Sequence, residues 1–163
     1  MFEATSNSVE ETIAYGRALS ALVQPDDMVV LTGDLGAGKT HFTKGMAAGL
    51  GIADDITSPT FNIVIEYAGG RWPLLHFDLY RLDDIFELDD IDFYALTESG
   101  AVSLVEWGDK FPEALPDERL HLDFKVDENG VRTLRASGIG PRGLQLEDAF
   151  AQTAGSTTVA EMK

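Results

Sequence analysis

The chain has 163 residues, 44% of them apolar and none of them cysteine, which suits one domain with a sizeable core and excludes disulfides, thiolate metal sites and a cysteine nucleophile. Its 28 acidic against 12 basic side chains give a net charge of −16, which argues against autonomous RNA or DNA binding, where Lys and Arg make most phosphate contacts, and fits a basic protein partner better. No apolar run approaches membrane-spanning length, and Met1-Phe2-Glu3-Ala4-Thr5 has neither a basic nor a hydrophobic leader region, so no membrane association and a cytoplasmic location are expected.

Residues 1–7 read as a loose or edge segment. Ser8-Val9-Glu10-Glu11 fits a capping box, and a helix is expected from about 8 to 23, ended by Pro25. Met28-Val29-Val30-Leu31 is a short β-branched run of the kind a strand buried on both faces shows. It leads into Gly33-Asp34-Leu35-Gly36-Ala37-Gly38-Lys39-Thr40, a full match to the phosphate-loop pattern G-x-x-x-x-G-K-[ST]. Thr40 to Leu50 follows as a helix, with Phe42, Met46 and Leu50 on one face. In this strand–loop–helix context the loop N–H groups converge on phosphate oxygens and the helix N-terminus faces the same anion. Lys39 is expected to reach the β/γ-phosphates and Thr40 to offer its hydroxyl to Mg²⁺, a hard cation. All eight loop residues, with His41 directly after them, form the expected nucleotide-contacting set. The bland alternative is a glycine turn with a chance lysine.

Gly49 and Gly51 mark the helix stop. Thr57-Ser58-Pro59-Thr60 reads either as a surface turn or as a nucleotide-sensing loop whose hydroxyls face Mg²⁺ or the γ-phosphate. Phe61 to Tyr67 is expected as a strand, Gly69-Gly70 as a hairpin turn, and Leu74 to Phe77 as a second strand. Asp78 closes that strand, where a metal-organising carboxylate belongs. His76 reads as structural or satisfied, because His41, His76 and His121 lack ligand spacing. Asp83 to Asp92 reads as an acidic, solvated helix with one buried side, and Tyr94 to Ser99 as a short second helix.

Ala101 to Val105 is a further apolar strand running into Glu106. Ligands of open α/β sheets sit at the carboxyl ends of strands, so Lys39, Asp78 and Glu106 meet at one edge if their strands are parallel there. Trp107 is either core or a lid beside the nucleotide. Leu120 to Val126 alternates as a half-buried strand, and Asp127-Glu128-Asn129-Gly130 turns it back into Val131 to Ser137. Gly138 to Gly143 is expected as a loop, Leu144 to Phe150 as a short helical or irregular closing segment, and 151–163 as a frayed tail. The expected architecture is one α/β domain over 1–150, a mixed and mostly parallel sheet with an antiparallel hairpin near each edge.

Four blocks, Gly33 to Thr40, Ser58-Pro59-Thr60-Phe61, His76-Phe77-Asp78-Leu79-Tyr80-Arg81 and Val105-Glu106-Trp107, resemble in order and spacing the TsaE (YjeE) family, the small bacterial ATPases of tRNA threonylcarbamoyladenosine synthesis. The resemblance implies a P-loop NTPase fold that binds ATP and Mg²⁺. It implies service in the N6-threonylcarbamoyl modification of adenosine 37 in ANN-decoding tRNAs, beside a TsaB–TsaD pair in which TsaD transfers the group from threonylcarbamoyl-AMP. A chain of this kind does not itself transfer the group; its ATP hydrolysis supports repeated turnover, and tRNA is met only through the complex. By resemblance Lys39, Asp78 and Glu106 are catalytic, and Thr40, Asp78 and Glu106 hold the metal. Thr60 and Trp107 join the loop at the nucleotide, and Ser58-Pro59-Thr60 takes the place of a switch segment.

The main alternative is a P-loop small-molecule kinase or phosphotransferase, which needs an acceptor site and a lid of arginines. The arginines here, at 17, 71, 81, 119, 132, 135 and 142, do not cluster into such a lid. A non-hydrolysing, nucleotide-dependent binding module is the third class. Arg81 is the only arginine near a predicted strand end, so slow hydrolysis alone, stimulated by a partner, is expected.

Overall fold

The computed structural model describes residues 1–34 and 36–161, with side chains through Ala154. The chain runs β1 (Phe2–Ser6), α1 (Val9–Ser20), β2 (Met28–Gly33), α2 (Lys39–Leu50), β3 (Val64–Tyr67), β4 (Leu74–Asp78), α3 (Glu87–Asp90), α4 (Phe93–Thr97), β5 (Val102–Glu106), β6 (Arg119–Val126), β7 (Arg132–Ile139) and α5 (Gly140–Glu161). The strands form one sheet in the order β1-β7-β6-β2-β5-β4-β3. Pairings β6–β2, β2–β5 and β5–β4 are parallel, whereas β1–β7, β7–β6 and β4–β3 are antiparallel. This is the expected mixed sheet, parallel at its centre, with a hairpin toward each edge.

The central strands are apolar throughout because both sheet faces are covered. Alternate residues of β2 go to opposite sides. Val29 and Leu31 join a core with Phe42, Met46, Leu104, Phe124, Leu146 and Phe150, beneath α1, α2 and α5. Met28 and Val30 pack on the other face with Phe77, Leu88, Phe93, Val105 and Phe111. Helix α1 starts where the capping box predicts: Ser8 Oγ accepts from Glu11 N–H at 3.1 Å. The Glu11 carboxylate reaches back to the N–H of Asn7, at 2.7 Å, rather than to that of Ser8. Helices α1 and α2 touch backbone to backbone, and a Cβ on Gly45 would fall 2.0 Å from the Ile13 carbonyl oxygen. That contact seats α2 on the sheet and fixes where its N-terminus points.

Three expectations are corrected. The strand expected over 61–67 begins only at Val64. Residues 61–63 belong to a turn closed by Ile63 N–H on the Pro59 carbonyl at 2.6 Å, with Ile63 at φ 67. The acidic stretch 83–92 forms a single short helix, Glu87–Asp90, anchored by fully buried Leu88. The loop expected over 138–143 and the irregular segment after it are instead the end of β7 and one helix, Gly140–Glu161. That helix continues through the first part of the expected frayed tail. Leu146, Phe150 and Ala154, each four residues apart, are 1% exposed and bind it to the core. Residues 162 and 163 of the expected tail lie outside the described residues.

Candidate functional site

β2 ends at Gly33, and the glycine loop returns the chain to the N-terminus of α2. Gly38 caps that helix at φ 107, a conformation that L side chains rarely adopt. Lys39 is the first helical residue, and its Nζ donates to the Gly33 carbonyl at 2.7 Å. The same Nζ lies 3.6 Å from Glu106 Oε1. The first N–H groups of α2 have no partner within the helix, which makes this end electropositive.

Parallel pairing brings the two acids to the same edge. Asp78 and Glu106 are register partners across β4 and β5, and Glu106 pairs with Leu31 of β2 on its other side. Both carboxylates are largely buried, at 6% and 7% exposure. Asp78 Oδ2 accepts from the Thr60 hydroxyl at 3.1 Å, and its Oδ1 accepts from Tyr80 N–H at 3.0 Å. The turn carrying Thr60 is tied to the same strand, because the Asp78 N–H donates to the Ile63 carbonyl at 2.7 Å. The left-handed Ile63 is strained for a β-branched residue. Ending the strand there is what turns Thr60 onto Asp78.

Burial pushes the Glu106 carboxyl up, but the hydrogen bond and charge of His76, with the charge of Lys39, outweigh it and hold the group below its ordinary value. An ionised carboxylate only accepts, so His76 Nε2 donates to Glu106 Oε2, at 2.8 Å. His76 is completely buried and its Nδ1 has no partner. This bond fits the expectation of a structural or satisfied histidine, which did not name the strand-end acid as the partner. Its signal was the pleat: His76 sits two residues before Asp78, on the same sheet face, diagonal to Glu106 on the adjacent strand.

These groups surround a cavity of about 740 Å³, within the range of small-molecule sites. Gly36, Gly38, Lys39, Thr40 and His41 line one side; Ser58, Thr60, Asp78, Tyr80, Glu106 and Trp107 line another. Arg132, from the start of β7, completes the lining. Trp107 is at the rim rather than in the core, 39% exposed and left-handed at φ 63. Its ring lies 5.7 Å from Lys39 Nζ and 5.0 Å from the Tyr80 ring. Of the remaining loop residues, Gly33 lies beneath Lys39, Asp34 is exposed outside the cavity lining, and Ala37 buries its methyl in the core. Leu35 lies outside the described residues. Arg81, three residues past the end of β4, places its guanidinium 5.6 Å from the ring of Phe61, the residue after Thr60, and is not among the cavity-lining residues. Arg132 carried no signal in the sequence, since an arginine opening a strand just after a turn reads as surface.

Among the described residues, no group of three or more His, Cys, Asp or Glu side chains is placed to hold a metal ion alone. The oxygens present, from Thr40, Thr60, Asp78 and Glu106, are hard donors. They fit Mg²⁺, which commonly takes one or two carboxylates and completes its shell with phosphate and water. No helix among the described residues is long and apolar enough to cross a membrane.

A family profile described as "Threonylcarbamoyl adenosine biosynthesis protein TsaE" matches residues 6–134. The tRNA threonylcarbamoyladenosine biosynthesis protein TsaE of Bacillus subtilis is 43% identical over 133 residues, covering 82% of this chain and 83% of that one. The Streptomyces coelicolor protein of the same description is 41% identical over 134 residues, covering 78% and 90% respectively. The crystal structure of Bacillus subtilis YdiB superposes with a TM-score of 0.76 at 36% identity, over 93% of this chain and 94% of that one.

Proposed function

Because the chain belongs to the TsaE family, and with it to tRNA threonylcarbamoyladenosine biosynthesis, we propose that it binds and hydrolyses ATP there, in the cytoplasm, beside a TsaB–TsaD-like pair. The observation that carries this reading is the meeting of Lys39, Asp78 and Glu106 around the N-terminus of α2, at the carboxyl ends of three parallel strands. Phosphates enter at the loop, held by its N–H groups and by Lys39. The lysine gives up part of its contact with Gly33 and Glu106 to reach them.

Thr40, Asp78 and Glu106 would hold Mg²⁺, which would neutralise phosphate charge when bound. Thr60, which donates to Asp78, offers a further hydroxyl to the phosphates. The Glu106 carboxyl, raised by burial but lowered overall by His76 and Lys39, is an acceptor for hydrogen bonds from water beside the phosphates. Trp107 covers the mouth beside Lys39. The tRNA is reached only through the partner proteins, in keeping with the net charge of −16.

The kinase alternative lacks the arginine lid it needs. Arg71 donates to the Ser20 carbonyl, Arg119 to His121, Arg135 pairs with Glu3 and Arg142 with Asp27. The direct test is equilibrium binding of ATP with Mg²⁺ to the parent chain and to Lys39→Ala. The variant is expected to keep its fold and lose most of its affinity; parental affinity in Lys39→Ala would refute the loop assignment.

A further inference from the structure

Resting on the nucleotide-site reading above, we propose that Arg132 is a phosphate-binding residue, supplied to the glycine loop from the start of β7, which lies between β1 and β6. Of the seven arginines in the chain, it is the one that lines the cavity. Its side chain lies on the loop itself: a Cβ built on Gly38 would fall 3.0 Å from Arg132 Cδ and 3.2 Å from Nε. That Nε is buried and has no hydrogen-bond partner. Among the described residues, its guanidinium forms no ion pair.

This placement is electrostatically incomplete. Gly38 is the N-cap of α2, so Arg132 sets a cation beside the positive end of a helix dipole. Lys39 adds a second positive charge, but Glu106 already offsets it. A desolvated donor with no acceptor costs stability, and two like charges at one helix end add to that cost. An anion seated on the loop reverses both terms. It supplies the missing acceptor for Nε and the countercharge for the guanidinium. Arginine suits a phosphate better than lysine does, since its planar fork can donate two parallel hydrogen bonds. Because Arg132 opens β7, it also ties the β6–β7 hairpin to nucleotide occupancy.

The probe is ADP with Mg²⁺, measured by calorimetry against the parent chain, Arg132→Gln, Arg132→Lys and Lys39→Ala, with the melting temperature of each nucleotide-free protein. Arg132→Gln is expected to weaken ADP about ten- to a hundredfold, the range for a hydrogen bond to a charged group. Its nucleotide-free melting temperature should equal or exceed that of the parent, because an uncompensated cation has been removed. Arg132→Lys should restore part of the affinity. ADP affinity within twofold of parental in Arg132→Gln would overturn the inference. So would a loss of affinity accompanied by a lower melting temperature, neither of them relieved by Arg132→Lys, which is what a packing role gives. Failure of the parent to bind ADP, or undiminished binding by Lys39→Ala, would instead overturn the nucleotide site as a whole.

Discussion

His76 and Glu106, 30 residues apart in the chain, form a fully buried hydrogen bond of 2.8 Å at the carboxyl edge of the sheet. The N–H at His76 Nε2 fixes the carboxylate while leaving Glu106 Oε1 turned toward Lys39. His76 is thus a positioning residue for the acid rather than an inert part of the core.

Replacing His76 by Phe keeps the ring volume and removes the donor. The Glu106 carboxyl then keeps its burial but loses its first stabilising partner, so its pKa rises. A loss of about 1.5–3 kcal/mol in folding stability at neutral pH is expected, the usual scale for a hydrogen bond to a charged group. Urea denaturation measures it. Stability unchanged from the parent would mean that the bond contributes nothing.

The acid side of the stability profile follows from the same carboxylate. Glu106 is lowered in the folded protein from a reference of 4.5. Its contribution is therefore fully present above about pH 4.5 and is lost as pH falls through the lower, folded value. Glu106→Gln removes a titrating group. The stability gap between parent and variant should be greatest above pH 5 and close progressively in more acidic solution. A gap that widens on acidification would contradict the sign of the shift.

Trp107 offers an optical report of the cavity. It sits at the mouth, whereas Trp72, the second tryptophan, packs against the core. Adding ATP with Mg²⁺ should change the emission of the parent chain and of Trp72→Phe, and leave Trp107→Phe unchanged. A response that follows Trp72 instead would place the nucleotide elsewhere.

The strand, loop and helix around Lys39 were legible because each carries its own local signature, and strand-end acids stand out against apolar runs. What escaped was non-local. The partnership of His76 with Glu106 depends on two strands being parallel and in register, and the approach of Arg132 to Gly38 depends on the β6–β7 turn lying beside the loop. The start of β3 was misplaced because Phe61 and Ile63 have strand-like side chains; the Pro59–Ile63 turn overrides that preference. α5 was broken up by its glycines. Gly143, however, answers a packing need, since a Cβ there would meet the Arg119 carbonyl at 2.2 Å. Pro141, at the first turn, was a usable start signal.

Phosphate release from ATP measures both whether this cavity hydrolyses ATP and who completes it. The transition state needs positive charge on the γ-phosphate, and an arginine supplied in trans contributes about 10³–10⁵ in rate. The isolated chain should hydrolyse ATP slowly. Addition of a TsaB–TsaD-like pair should stimulate it strongly, less so as salt screens attraction to the acidic chain. Asp78→Asn and Glu106→Gln should lose the stimulated rate even where they still bind the pair. Full-speed hydrolysis by the chain alone, unaltered by the pair and retained in both variants, would contradict the account.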